Sequence, residues 1–134
     1  MAILVLDTDV ISGLIKKNLP ASLDSKLVGH QLITTFVGAG ELERWAVQRD
    51  LGARRRSHIE RWLAGPLITG GRDVARKWGE IMAYAEKRGR PRPVNDSWIT
   101  ACCLVHNVPL ATLNLGHFGD FAEHEGLQII TPSA

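Results

Sequence analysis

Asp7, Glu41 and Asp96 are the residues of this chain whose type and setting could do chemistry together. Asp7 follows directly on Ile3-Leu4-Val5-Leu6, four apolar residues with no polar interruption, and so stands where a fully buried strand is expected to end. In open α/β sheets that carboxyl edge is where ligands bind, and a carboxylate set there by a core strand is held rigidly. Glu41 falls near the start of a helix beside Gly38 and Gly40, which leave room for a ligand to approach the backbone. Asp96 begins another helix, whose dipole favours a carboxylate at that end. Carboxylates gathered without a counter-ion repel one another and call for a cation. Oxygen-only ligands select a hard one, and Mg²⁺ or Mn²⁺ fits best because such ions keep waters and open positions for phosphate oxygens. Each acid also has a plainer reading: Asp96 as the N-cap of its helix, Glu41 as a solvated edge charge, and Asp7, the hardest of the three to explain away, as a structural residue.

The elements that must position these acids alternate along the chain. Val10, Ile11, Leu14 and Ile15 recur at helical spacing over residues 9–17, and Pro20 starts a short helix or turn with Leu23 and Leu27 as its apolar face. A strand is expected over 31–35, then a helix over 36–50 that buries Phe36, Leu42, Trp45 and Ala46. Further helices are predicted over 53–64 and 72–87, separated by a short strand at 67–69, with a stiff Pro-rich connection at 90–93. Residues 95–106 are apolar nearly all round, as in a central helix covered on both sides. A strand at 109–112, a loop with a short helix at 114–121 and a last strand at 127–130 complete the pattern. Such alternation predicts an α/β fold, a parallel sheet of about four to five strands with helices on both faces, in a single domain over 1–134.

Composition narrows the function classes. A chain of 134 residues with 45% hydrophobic and 22% charged residues buries enough surface to fold without a disulfide or structural metal. Cys102 and Cys103 are adjacent within an apolar run and read as reduced core residues. No histidine or cysteine pair has zinc spacing, and no serine or cysteine sits in an activated setting. The first apolar run ends too early for a signal peptide, and no run approaches a membrane span, so a cytoplasmic protein with no membrane contact is expected.

Leu6-Asp7-Thr8-Asp9-Val10-Ile11-Ser12, then Thr35 to Glu41-Leu42, then Asp96 in a helix, then Ala111-Thr112-Leu113-Asn114 with His117-Phe118, together resemble the PIN-domain family. Within that family they are most similar to the VapC-type ribonuclease toxins of bacterial type II toxin–antitoxin pairs. The resemblance implies a metal-dependent endoribonuclease in which Asp7, Glu41 and Asp96 match the acidic metal ligands and water attacks the RNA phosphodiester. It also implies a homodimer and a cognate VapB-type antitoxin that covers the acidic groove. Asn114 occupies the place of a frequent fourth acid, able to orient a ligand through its amide without supplying charge, and His117 stands where related sequences often have Asp. Asp9, where the family commonly has Asn, either adds charge to the site or caps the first helix. Thr112 and Ser12 read equally as hydroxyl partners of the site and as turn residues.

Phosphate contacts call for cations. Arg54-Arg55-Arg56 is one basic cluster, readable also as a solvated face. In the second, Lys87-Arg88-Gly89-Arg90-Pro91-Arg92, the arginines Arg88, Arg90 and Arg92 run up to Asp96, which favours RNA contact. Trp45, Trp62, Trp78 and Trp98 all fall on helical apolar patterns and read as packing residues rather than base-stacking platforms. Two rival functions stay open. One is a catalytically silent PIN-like domain that binds RNA or a protein. The other is a haloacid-dehalogenase-like phosphatase with Asp7 as nucleophile and Asp9 as general acid, although the chain offers no convincing late acidic pair or positioned lysine for it.

Overall fold

Ala2–Leu6 forms strand β1, whose successive side chains point to opposite faces of a sheet. Leu4 and Leu6 enter one hydrophobic cluster and Val5 the other, so burial on both faces explains the unbroken apolar run. Full burial covers only Leu4 to Leu6; Ala2 and Ile3, at the strand's start, are exposed. The computed structural model describes residues 1–132, so the last two positions of the expected 1–134 domain lie outside the described residues.

From β1 the chain enters α1 (Thr8–Lys16) and α2 (Ala21–Leu27), then β2 (His30–Thr35), α3 (Phe36–Gln48) and α4 (Ala53–Ala64). Strand β3 (Leu67–Ile68) is followed by α5 (Arg72–Lys87) and α6 (Val94–His106), then β4 (Leu110–Ala111), α7 (Leu115–Glu125) and β5 (Ile129–Ile130). The five strands form one sheet in the order β3-β2-β1-β4-β5, parallel throughout. On one face Leu4, Leu6 and Ala111 meet Val10 and Ile11 of α1, Leu23 of α2, Leu42 of α3 and Ile59 of α4. On the other, Val5, Ile33 and Leu110 meet Ile81 of α5, the buried stretch of α6 and Phe118 and Phe121 of α7. Helices therefore cover both faces, as the alternation of elements predicts.

Two local expectations are corrected. Residues 114–121 are not a loop with a short helix: α7 has 11 residues, because Phe118 and Phe121 fill the core and outweigh the cost of Gly116 and Gly119 in a helix. Phe36 is 37% exposed, since it starts α3 at the edge of β2, where its ring meets Trp98 edge-on at 5.9 Å. Trp78 and Trp98 stack at 4.6 Å and pack with the α5–α6 side of the core, while Trp45 and Trp62 pack on the opposite cluster. Cys102 and Cys103 are buried and free, and burial pushes both thiols up, so they remain protonated. Among the described residues, no helix is long and apolar enough to cross a membrane.

Candidate metal centre

The strand order places β1 and β4 side by side while their connections leave in opposite directions, toward β2 on one side and β5 on the other. At the carboxyl ends of such a pair the helices part and leave a crevice. Asp7 follows β1 and Thr112 follows β4, so both stand at its mouth. Thr112 is fully buried and donates its hydroxyl to Asp7 Oδ2 at 2.9 Å, while Thr112 Oγ1 accepts the Asn114 amide at 3.0 Å. Asp7 Oδ1 accepts the Thr8 amide at 2.9 Å, which makes Asp7 the N-cap of α1. Both carboxylate oxygens are therefore fixed by elements of the sheet edge.

Glu41 reaches the same crevice from the second turn of α3. The Thr8 hydroxyl donates to Glu41 Oε1 at 2.7 Å, so Thr8 ties Asp7 through its amide and Glu41 through its side chain. Helix α3 lies close to β2 because Gly38 is buried there and a Cβ in its place would collide with Thr34 Oγ1. That space is thus filled by Thr34 and is not open to a ligand, contrary to the sequence reading; Gly40 has nothing near it. Asp96 sits in the first turn of α6, whose N-cap is Pro93, so the N-cap reading of Asp96 is also corrected. His117 Nδ1 lies 3.6 Å from Asp96 Oδ2 at the exposed rim.

The acids feel one another. Burial, then the charge of Asp9, raises Asp7 from an ordinary 3.8 to about 7, against the hydrogen bonds from Thr112 and Thr8. Asp96 is raised by burial, with the charges of Glu41 and Asp9 adding to it and His117 opposing. Asp9 is in the first turn of α1 and does not cap it; its Oδ1 is buried without a hydrogen-bond partner. An orphaned carboxylate oxygen among acids whose protons are held too tightly is the signature of a missing positive charge. The donor set is carboxylate oxygen, which suits a hard divalent ion. Asp7, Glu41, Asp96 and Asp9 supply donors of that kind, but their ligand atoms do not converge within 4.8 Å of one another as those of a closed metal site would, so holding one ion calls for side-chain rotation or bridging waters.

Other expected site residues are placed differently. Asn114 is the N-cap of α7, its Oδ1 accepting the His117 amide at 3.3 Å, so its carbonyl is engaged in capping. Arg92 is not available to RNA: its side chain is 4% exposed, bound to Asp120 Oδ2 at 2.7 Å and Glu125 Oε1 at 2.6 Å, with its guanidinium over Phe121. Arg88 leans toward Asp120 at 4.0 Å, and Arg90 is exposed. Arg54 and Arg55 are exposed in the first turn of α4. Thr8 was missed by sequence reasoning, although a hydroxyl between two acids after a strand was a signal. Asp120, Glu123 and His124, spaced to share one face of α7, were missed as well. They bring one ligand atom each within 4.8 Å of one another, as a metal site requires. Arg92 and Arg88 already neutralise Asp120, which is lowered by its contact with Arg92, so this group reads as an ion-pair network.

Comparison with known proteins follows the same lines. A PIN-domain family model matches residues 4–124. The chain is 29% identical over 140 residues to VapC ribonuclease Y4jK of Sinorhizobium fredii, a match covering 96% of each protein. Its fold is similar to that of VapBC2 from Rickettsia felis, solved with a DNA fragment from its promoter, with a TM-score of 0.80, 19% identity, and 98% of this chain and 99% of that one covered. VapBC-1 from nontypeable Haemophilus influenzae gives a TM-score of 0.77 at 24% identity, covering 96% of this chain and 97% of that one.

Proposed function

This chain belongs to the PIN-domain family, and we propose that it is a metal-dependent endoribonuclease of the VapC type, the toxin of a VapBC-type pair, acting as a single PIN-like unit. The observation that carries the reading is the pair Asp7 and Asp96, each raised by burial and by the charge of a neighbouring carboxylate, Asp7 to about 7, beside an unpartnered Asp9 Oδ1. The family match and the ribonuclease relative support RNA as the substrate. Solved VapBC assemblies of similar fold support a VapB-type antitoxin as partner; a homodimer rests on the family resemblance.

In this reading Asp7, Glu41 and Asp96 hold Mg²⁺, with Mn²⁺ able to substitute. When bound, the ion lowers the pKa of a coordinated water and neutralises charge growing on the phosphate. The chain's own residues orient and tune this site. Thr112 and the Thr8 amide fix the two oxygens of Asp7, and the Thr8 hydroxyl fixes Glu41. His117 Nδ1 stands 3.6 Å from Asp96 Oδ2 at the open rim. No side-chain nucleophile is needed. The phosphatase alternative has no support here, because both Asp7 oxygens are engaged and the family is different.

One observation favours a second reading. Asn114 supplies no charge and spends its carbonyl on capping α7, as a silent RNA- or protein-binding domain would tolerate. Incubating a mixed cellular RNA pool with the protein separates the two. Cuts should appear with Mg²⁺ or Mn²⁺ and vanish with EDTA, in Asp7→Asn and in Asp96→Asn. Cutting that survives either substitution or the chelator would refute the metal site, and metal-indifferent binding without cutting would favour the silent domain.

A further inference from the structure

The carboxyl ends of α1 and α3 and the amino end of α4 enclose a groove of about 690 Å³. Lys16, Lys17, Arg49, Arg54, Arg55 and His58 line it, against Asp50 as its acid. Lysines and an arginine at the ends of α1 and α3 are where the helix dipole favours cations, and alone they would need no other explanation. Arg54 and Arg55 are different, because the first turn of a helix disfavours positive charge and α4 places no acid there. Arg56, in the same turn, shows how such a charge is compensated: it pairs with Glu43 at 2.7 Å and Glu60 at 3.3 Å and stays outside the groove. Among the described residues, Lys16, Lys17, Arg49, Arg54 and Arg55 make no ion pair. Lys16 instead stands over the Trp45 ring at 5.4 Å, which holds its ammonium without neutralising it.

We propose that this groove binds the sugar–phosphate backbone of RNA, away from the acids, so that the substrate is held at two places. Helix α1 carries acids at its amino end and a cation at its carboxyl end, with Asp7 capping it and Lys16 in its last turn. Nine residues of helix separate the two sites by roughly 13 Å. A few nucleotides of single-stranded RNA span that distance. Unpaired guanidinium and ammonium groups with no Phe, Tyr or Trp in the lining suit backbone contact, which is independent of base identity. The proposal takes RNA as the partner from the ribonuclease reading.

Binding of a labelled oligouridine of about 12 nucleotides, read by fluorescence anisotropy in EDTA across a salt series, tests this without requiring cleavage. Arg54→Gln/Arg55→Gln should weaken binding by roughly tenfold and lower the slope of log affinity against log salt by about 1.4, two phosphate contacts' worth. Lys16→Gln/Lys17→Gln should act in the same direction, and all these side chains are exposed, so folding is checked by circular dichroism. The control is Arg72→Gln/Arg76→Gln, exposed cations on α5, which removes equal charge and should weaken binding less than about twofold. Equal losses in groove and control pairs, or no loss in the groove pairs, would overturn the proposal. So would a glutamate-rich peptide that displaces the RNA as well as unlabelled oligouridine does, since the groove would then belong to an acidic protein segment. A protein that binds through the groove yet cuts nothing with Mg²⁺ overturns the ribonuclease reading alone.

Discussion

Replacing Asp7 by Asn should stabilise the metal-free protein while removing its response to metal. Asp7 is raised from 3.8 to about 7 by burial and by Asp9. In the unfolded chain it ionises near pH 4, but in the folded protein it stays protonated until about pH 7, so between those values the native state binds more protons. Folding stability therefore falls as pH rises through that window, and the cost is complete above it. At about 1.36 kcal/mol per pH unit the ceiling is on the order of 4 kcal/mol, and sharing of the proton among neighbouring acids brings the expected gain to about 1–3 kcal/mol. Asn keeps the N-cap bond to the Thr8 amide, so α1 is not weakened by the change. Urea titrations of both proteins in EDTA should give equal stabilities near pH 4 and a gap that opens to about 1–3 kcal/mol by pH 8. Saturating Mg²⁺ at pH 8 should then raise the stability of the wild type by about 2–3 kcal/mol at roughly a hundred times its dissociation constant, and leave the variant nearly unmoved. A variant no more stable than wild type at pH 8, or a gap independent of pH, would refute the account of Asp7 as a buried, repelled carboxylate. An undiminished Mg²⁺ response would refute its place as a ligand.

Thr112→Val removes a buried hydroxyl that both donates to Asp7 and accepts the Asn114 amide, so it should cost about 1–3 kcal/mol in urea unfolding and weaken Mg²⁺ binding in titration calorimetry. Gly38→Ala should destabilise by about 1–3 kcal/mol through its collision with Thr34 Oγ1, and Thr34→Ala in the same chain should restore much of the loss; additive losses in the pair would show that the contact is not the cause. Arg92→Ala should cost about 3–5 kcal/mol by stranding Glu125 and Asp120, while Arg92→Met loses less; in the folded Met variant, oligouridine affinity should stay within about twofold of wild type, because the arginine's charge is already spent.

The acids and their hydroxyl partners differ in how far local sequence reveals them. Asp7 was legible because a run buried on both faces ends at it, and the α5 boundaries were legible because Val74, Trp78, Ile81 and Ala85 mark one stripe on an otherwise polar helix. Arg92 was not, since it stands in a basic run while its acids follow 28 and 33 residues later. The same distance hides the supports of the metal centre: Thr8 finds Glu41 across 33 residues and Thr112 finds Asp7 across 105. What joins Thr112 to Asp7 is register. Leu6 pairs with Ala111, so the next residue of each strand emerges at the same level and on the same side of the sheet edge. A slip of one residue would turn Thr112 to the opposite face and present Ala111 or Leu113 to Asp7, neither able to donate. The pairing of Val5 with Leu110 on one face and of Leu6 with Ala111 on the other forbids that slip, because it would exchange the contents of both cores. The packing that stabilises the sheet is thus also what delivers a hydroxyl to the carboxylate, and core substitutions that loosen the β1–β4 register should impair metal binding without touching an acid.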